Sequence, residues 1–219
     1  TLGEKTRELL EAHRLAANGR LVGVRHTAKW DEDPAIRGAI GPGRAGLYLE
    51  PAFHEGFKLL AQMGLVFDAS IYHPQLPDVI ALARAHPEVP IVVIHSASPL
   101  GFGRFAGRER EVQAAWLTHM RELAQCPNAH IKLGGLLMCL RNFDYATATQ
   151  PISSERLAQL WRPYIEPCLE LFGARRCLVA GNYPVDRAGL PYGTIWNMFK
   201  RITQGCSDEE KRWIYSDAA

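Results

Sequence analysis

The chain has 219 residues, of which 47% are hydrophobic and 22% charged, the balance of a globular protein with apolar side chains enough for one sizeable core. Its 25 Lys and Arg residues are scattered among 23 Asp and Glu, and the net charge of +2 creates no basic field of the kind that selects nucleic acid. No stretch reaches the roughly 18 uninterrupted apolar residues of a membrane span, so neither nucleic acid nor a bilayer is expected as a partner and a cytoplasmic location is expected.

In chain order, "TLGEKTRELLEAHR" is charged and helical rather than signal-like. "LVGVRHTA" (21–28) reads as a strand buried on both faces, and a long loop, "WDEDPAIRGAIGPGRAG" (30–46), follows it. Strand "LVFDASIY" (65–72) precedes the helical "LPDVIALARAHP", and strand "IVVIHSA" (91–97) leads into loop "SPLGFGRFAGRER" (98–110) and helix "REVQAAWLTHMRELAQCP". The pattern repeats with strand "HIKLGGL" (130–136), a polar loop over 136–154, and helix "SSERLAQLWRPYIEPCLELFG". It closes with strand "CLVAGN" (177–182) and helix "YGTIWNMFKRITQG". Such alternation predicts one α/β domain over residues 1–219 with a parallel sheet. Polar residues recur at strand ends: Arg25 and His26, Tyr72 and His73, His95, Lys132 and Asn182. Parallel α/β folds build their sites there.

Five cysteines with no CxxC spacing indicate neither a disulfide framework nor a zinc knuckle, and buried thiols are expected. "GFGRFA" (101–106) fits a dinucleotide pattern, but Ser96 to Leu100 intervene between the apolar run "IVVIH" and the glycines and no ribose-binding acid follows, so it is set aside.

Taken in order, "GVRH", "YHPQLP", "VIHSASPLG", "HIKLGGL" and "LFGARRCLVAGNYPVD" followed by a Trp-containing helix resemble the amidohydrolase-related family of TIM-barrel hydrolases. The likeness is to the branch of sugar-acid and pyrone dicarboxylate lactonases. It implies a (β/α)8 barrel with its site at the C-terminal face. The five strands resemble the family's fourth to eighth, so about five C-terminal βα units are expected here, with the N-terminal strands apparently missing.

The resemblance also supplies roles. His95 matches a histidine that binds metal or contacts substrate, and Arg25 matches an arginine whose planar fork suits a carboxylate. Arg25 could equally pair with a neighbouring acid; His26, pointing the other way by strand alternation, is read as structural. Tyr72, His73 and Gln75 fall where relatives contact substrate, with one of the three bracing the turn. Lys132, mid-strand, is expected beside a carboxylate or anion, as a carbonyl-polarising group or in an ion pair. Asn182 stands where most relatives carry aspartate, and an amide is neither a base near neutral pH nor a good zinc ligand. Asp186 is the nearest carboxylate, a replacement base if its loop folds back, a helix cap otherwise.

With one matching histidine and no His-x-His motif, the expectation is metal-independent hydrolysis of a lactone or related cyclic ester bearing a carboxylate. The site would then use no cofactor, zinc or manganese entering only if a preceding segment supplied ligands. The alternatives are a metal-dependent decarboxylase of an aromatic or unsaturated acid, and a non-catalytic barrel binding a small acid or a partner protein. A homodimer is compatible with the resemblance.

Overall fold

The computed structural model describes residues 3–37 and 43–219. Five parallel strands lie in sequence order, β1 (Gly23–Thr27), β2 (Val66–Ser70), β3 (Ile91–Val93), β4 (Ala129–Leu133) and β5 (Cys177–Val179). Before, between and after them run α1 (Thr6–Ala16), α2 (Pro34–Arg37), α3 (Pro51–Met63), α4 (Leu76–Ala85), α5 (Glu109–Leu123), α6 (Leu137–Leu140), α7 (Ser154–Phe172), α8 (Tyr192–Ile202) and α9 (Asp208–Arg212). The sheet with its alternating helices is a partial α/β barrel. Among the described residues no helix is long and apolar enough to cross a membrane.

Strand alternation divides the sheet into two faces. Phe67, Ala69, Ile91, Val93, Ala129, Ile131, Leu133 and Cys177 are buried against the helices. On the other face Arg25, Asp68, Val92, His130, Lys132 and Leu178 line an open concavity of about 760 Å³, the barrel lumen. Register places Arg25 opposite Asp68, Asp68 opposite Val92, and Lys132 opposite Leu178.

The helices cover the outer face by their apolar stripes. In α5, Val112, Trp116, Met120 and Leu123 are buried at three-to-four spacing. Trp116 is wholly buried, and its indole N–H donates to the Ser96 carbonyl at 2.8 Å, tying α5 to the turn after β3. Helix α7 begins at Ser153, whose hydroxyl accepts from the Arg156 amide, and buries Leu157, Trp161, Ile165, Cys168 and Phe172. Helix α3 starts with Pro51 and stops at Gly64 in the left-handed region. Its pattern, "PAFHEGFKLLAQM", went unread in the sequence because Pro51 and Gly56 interrupt it; Phe53, Phe57 and Leu60 are nonetheless buried.

The strands are shorter than the apolar runs, most of all β3, which ends at Val93 instead of reaching Ala97. Residues 38–42 of the first long loop lie outside the described residues. The set-aside "GFGRFA" segment forms a 3-10 turn at Gly103–Phe105, whose Arg104 pairs with Asp31 and Glu32. All five cysteines are free thiols, four of them buried.

Candidate active site

The chain leaves β3 by an unusual route. His95, Ser96, Ala97 and Ser98 all have positive φ, between 45° and 61°. Each such non-glycine residue costs roughly 1–2 kcal/mol, and strain of this kind concentrates at functional sites. The turn swings the His95 ring over Gly135, where a Cβ would lie 2.0 Å from its Nδ1. Only glycine at that position leaves room for the imidazole.

His95 sits among cations. Burial first, then Lys29 and Arg25, push its pKa down to about 4, against a main-chain contact at Gly134 that raises it. It is therefore a neutral imidazole near neutral pH, with one ring N–H to donate.

Below it, in the lumen, Asp68 holds two cations. Arg25 donates to Asp68 Oδ2 through Nη2 at 2.7 Å and Nε at 3.1 Å, and Lys132 Nζ lies 3.0 Å from the same oxygen. Arg25 and Lys132 are thus an ion-paired layer across β1, β2 and β4 with a surplus of one positive charge. Asp68 was not singled out in the sequence, although a lone carboxylate inside the apolar run "LVFDAS" is itself a signal of a charged lumen.

Lys29, two residues beyond β1, was also missed. It is 5% exposed, with Nζ 5.1 Å from the centre of the Tyr72 ring. Burial lowers its pKa, and Arg25 adds to the effect while Cys139 opposes it. Tyr72 is itself buried, and burial pushes its phenol up to about 12, so it is a proton donor rather than an anion.

Two residues expected at the substrate are instead braces. Gln75 spends its amide on the main chain, Nε2 donating to the Ala28 carbonyl at 2.5 Å while Oε1 accepts from Trp30 and Tyr72 amides at 3.1 and 3.2 Å. His73 is buried, accepts from the Leu100 amide through Nδ1 and packs edge-on against Phe105; burial takes its pKa down to about 4. The turn needed two such supports, because loop 98–110 leans on it from one side and residues 28–30 from the other. His26 points out of the lumen into an aromatic cluster with Tyr48 and Phe53, as strand alternation requires.

After β5 the loop does fold back. Asn182, at φ 51°, donates from Nδ2 to Asp186 Oδ1 at 2.8 Å, and the Asp186 amide donates to the Asn182 carbonyl at 3.0 Å. Asp186 caps no helix: α8 starts six residues later with no side-chain cap. The Asp186 carboxyl is fully buried, its Oδ2 has no partner among the described residues, and burial raises its pKa to about 6 against the Asn182 hydrogen bond. Cys139 lies within electrostatic reach of both Lys29 and Asp186. Outside it a groove of about 610 Å³ runs between the 143–152 loop and residues 183–191, with Tyr145, Tyr183 and Arg187 in its walls.

The described residues do not by themselves supply the donor set of a metal ion. Among the described residues no three His, Cys, Asp or Glu side chains converge as ligands. The imidazole that ends β3, His95, lies within electrostatic reach of Lys29, Arg25 and Lys132, which disfavour a divalent cation beside it.

Parallel βα units with polar side chains gathered at the strand ends are the architecture of (β/α)8-barrel enzymes. Comparison narrows this. A match to the amidohydrolase family spans residues 1–219, and the chain belongs to that family. It is 33% identical over 213 residues, 97% of its length, to the uncharacterized protein y4mH of Sinorhizobium fredii, and spans 63% of that relative. It is 30% identical over 145 residues to an L-fucono-1,5-lactonase of Burkholderia ambifaria, which aligns 66% of this chain with 43% of the lactonase. In structure it is similar to an amidohydrolase from Burkholderia multivorans with bound HEPES, at TM-score 0.76 and 22% identity over 95% of this chain and 67% of that one. A second crystal form of that protein carries zinc. The resemblance to the lactonase-like branch is thereby established, while the chain spans about two thirds or less of the relatives it matches.

Proposed function

We propose that the protein hydrolyses a lactone or related cyclic ester carrying a carboxylate, with Asp186 as general base and no metal in the step. The observation that carries this reading is Asp186 itself, a buried carboxyl folded onto Asn182, with one oxygen unpartnered and a pKa near 6. A base poised near the working pH combines the correct protonation state with driving force for proton transfer. Lactonase-named relatives of the same family support the choice of bond.

In this scheme Asn182 fixes Oδ1 of Asp186, leaving Oδ2 to take a proton from the attacking water. Because Asp186 is shut off from solvent, that water enters with the substrate. The carbonyl becomes a tetrahedral oxyanion, which Tyr72 O–H and the neutral His95 N–H stabilise by donation, in the positive field of Arg25 and Lys132. Collapse breaks the ring C–O bond, and protonated Asp186 returns its proton to the leaving alkoxide, giving a hydroxy acid. Lys132 acts through the field, since its ammonium is engaged by Asp68.

The test is proton release by the purified, chelator-treated protein against a panel of sugar-acid and pyrone-type lactones. Turnover of acid-bearing lactones that persists after chelation supports the reading. Turnover that appears only with added zinc or manganese, or release of carbon dioxide from an unsaturated acid instead of ring opening, contradicts it.

A further inference from the structure

Among the described residues, Lys29 is a buried cation of this region with no carboxylate partner. Lys132 and Arg25 share Asp68, and Arg104 has Asp31 and Glu32. Around Lys29 no carboxylate approaches within 4 Å of Nζ among the described residues, although the side chain is 5% exposed. Its neighbours are the Tyr72 ring, the Cys139 thiol and a second cation, Arg25. Burying an ammonium without a counter-ion is costly, and proteins tolerate it where a ligand supplies the missing charge.

The surroundings hold the group in place. A Cβ on Gly43 would lie 2.1 Å from the Lys29 carbonyl oxygen, so the chain passes tightly over the end of β1. The Tyr72 face supports the ammonium from one side through its ring quadrupole. Lys29 also lowers the pKa of His95, so its charge lies within electrostatic reach of that imidazole.

We propose that Lys29 is the anchor for a carboxylate of the bound ligand, the role that the sequence suggested for Arg25. Arg25 is committed to Asp68, and Lys29 receives the acid between the Tyr72 ring and His95. The inference rests on the same pocket as the lactonase reading, but concerns binding and is separable from turnover. It names the ligand class as small organic acids, cyclic esters with an acid group among them.

The test uses malonate as a probe that the protein cannot hydrolyse. Wild type, Lys29→Met and Lys29→Arg are titrated by calorimetry at neutral pH. Lys29→Met binds roughly tenfold or more weakly than wild type, the loss expected for one charge-assisted contact, and Lys29→Arg recovers part of it. Unliganded Lys29→Met melts at or above the wild-type temperature, since an unmatched buried charge has been removed. Malonate affinity unchanged in Lys29→Met, or a lower melting temperature for that unliganded variant, overturns the assignment. If malonate binding depends on Lys29 while no lactone is turned over, the anchor stands and the hydrolase reading falls. If lactones are turned over but Lys29→Met has the same KM for acid-bearing and neutral ones, the hydrolase stands and the anchor falls.

Discussion

At the scale of single residues, the site is organised by what cannot be altered around His95. Gly135 has φ 65° and faces the imidazole with no room for a methyl group. Gly135→Ala is expected to displace the ring and to cost about 1 kcal/mol or more in stability from the positive φ alone, while activity falls further than stability does. Denaturant midpoints and kcat/KM measured on one preparation check this; a fully active variant would show that the ring position is immaterial. Arg25, His95, Lys132 and Asn182 were legible in the sequence as polar groups on apolar strands. Lys29 and Asp68 were equally visible by type but matched no expected role, so they went unremarked. The bracing by Gln75 and His73 was hidden because it depends on main-chain groups of residues 28, 30 and 100, which no side-chain pattern reveals.

At the scale of elements, Asp68 joins three strands by one oxygen. Arg25 comes from β1 and Lys132 from β4, and without the carboxylate the two cations would face each other across β2 and β3. Asp68→Asn is expected to lower stability by about 1–3 kcal/mol, the usual loss for charge-assisted hydrogen bonds, with much of it relieved by the further change Lys132→Met. A double-mutant cycle in urea measures the coupling, and strictly additive effects would contradict a shared layer. The β3 turn shows where element-level reading stops. "IVVIHSASPL" looks like a strand through Ala97, because β-branched and apolar residues favour extension, yet four successive left-handed residues end it early. Only tertiary contacts, such as the Trp116 indole on the Ser96 carbonyl, can hold such a turn.

At the scale of the whole molecule, buried and half-buried histidines set the response to acid. His26, His73, His86, His95 and His130 all have pKa values lowered chiefly by burial, His73 and His95 to about 4. A lowered histidine binds its proton more readily in the unfolded chain, so its contribution is intact above pH 6.5 and is lost as pH falls towards 4. For His73 and His95 this amounts to roughly 3 kcal/mol each. Asp186 acts oppositely: its raised pKa means that stability is lost as pH rises from the unfolded value through about 6. The histidines outnumber it, so urea midpoints are expected to drop between pH 6.5 and 4, and His73→Phe to flatten that drop. A midpoint that stays level across this range would mean that these rings are not buried as neutral species. The α/β class and five-strand count were plain from alternating apolar runs and helical stripes, since local periodicity suffices for them. The division of charge between lumen and mouth was not, because it depends on register between strands more than forty residues apart.

The proposal that Asp186 is the base of a lactone hydrolysis is decided by the pH dependence of kcat/KM in wild type and Asp186→Asn. The account predicts a rate that rises with pH through about 6 in the wild type, and a loss of roughly 10²–10⁴-fold in the variant with that limb abolished. An Asp186→Asn protein that keeps both the rate and the ascending limb would contradict it.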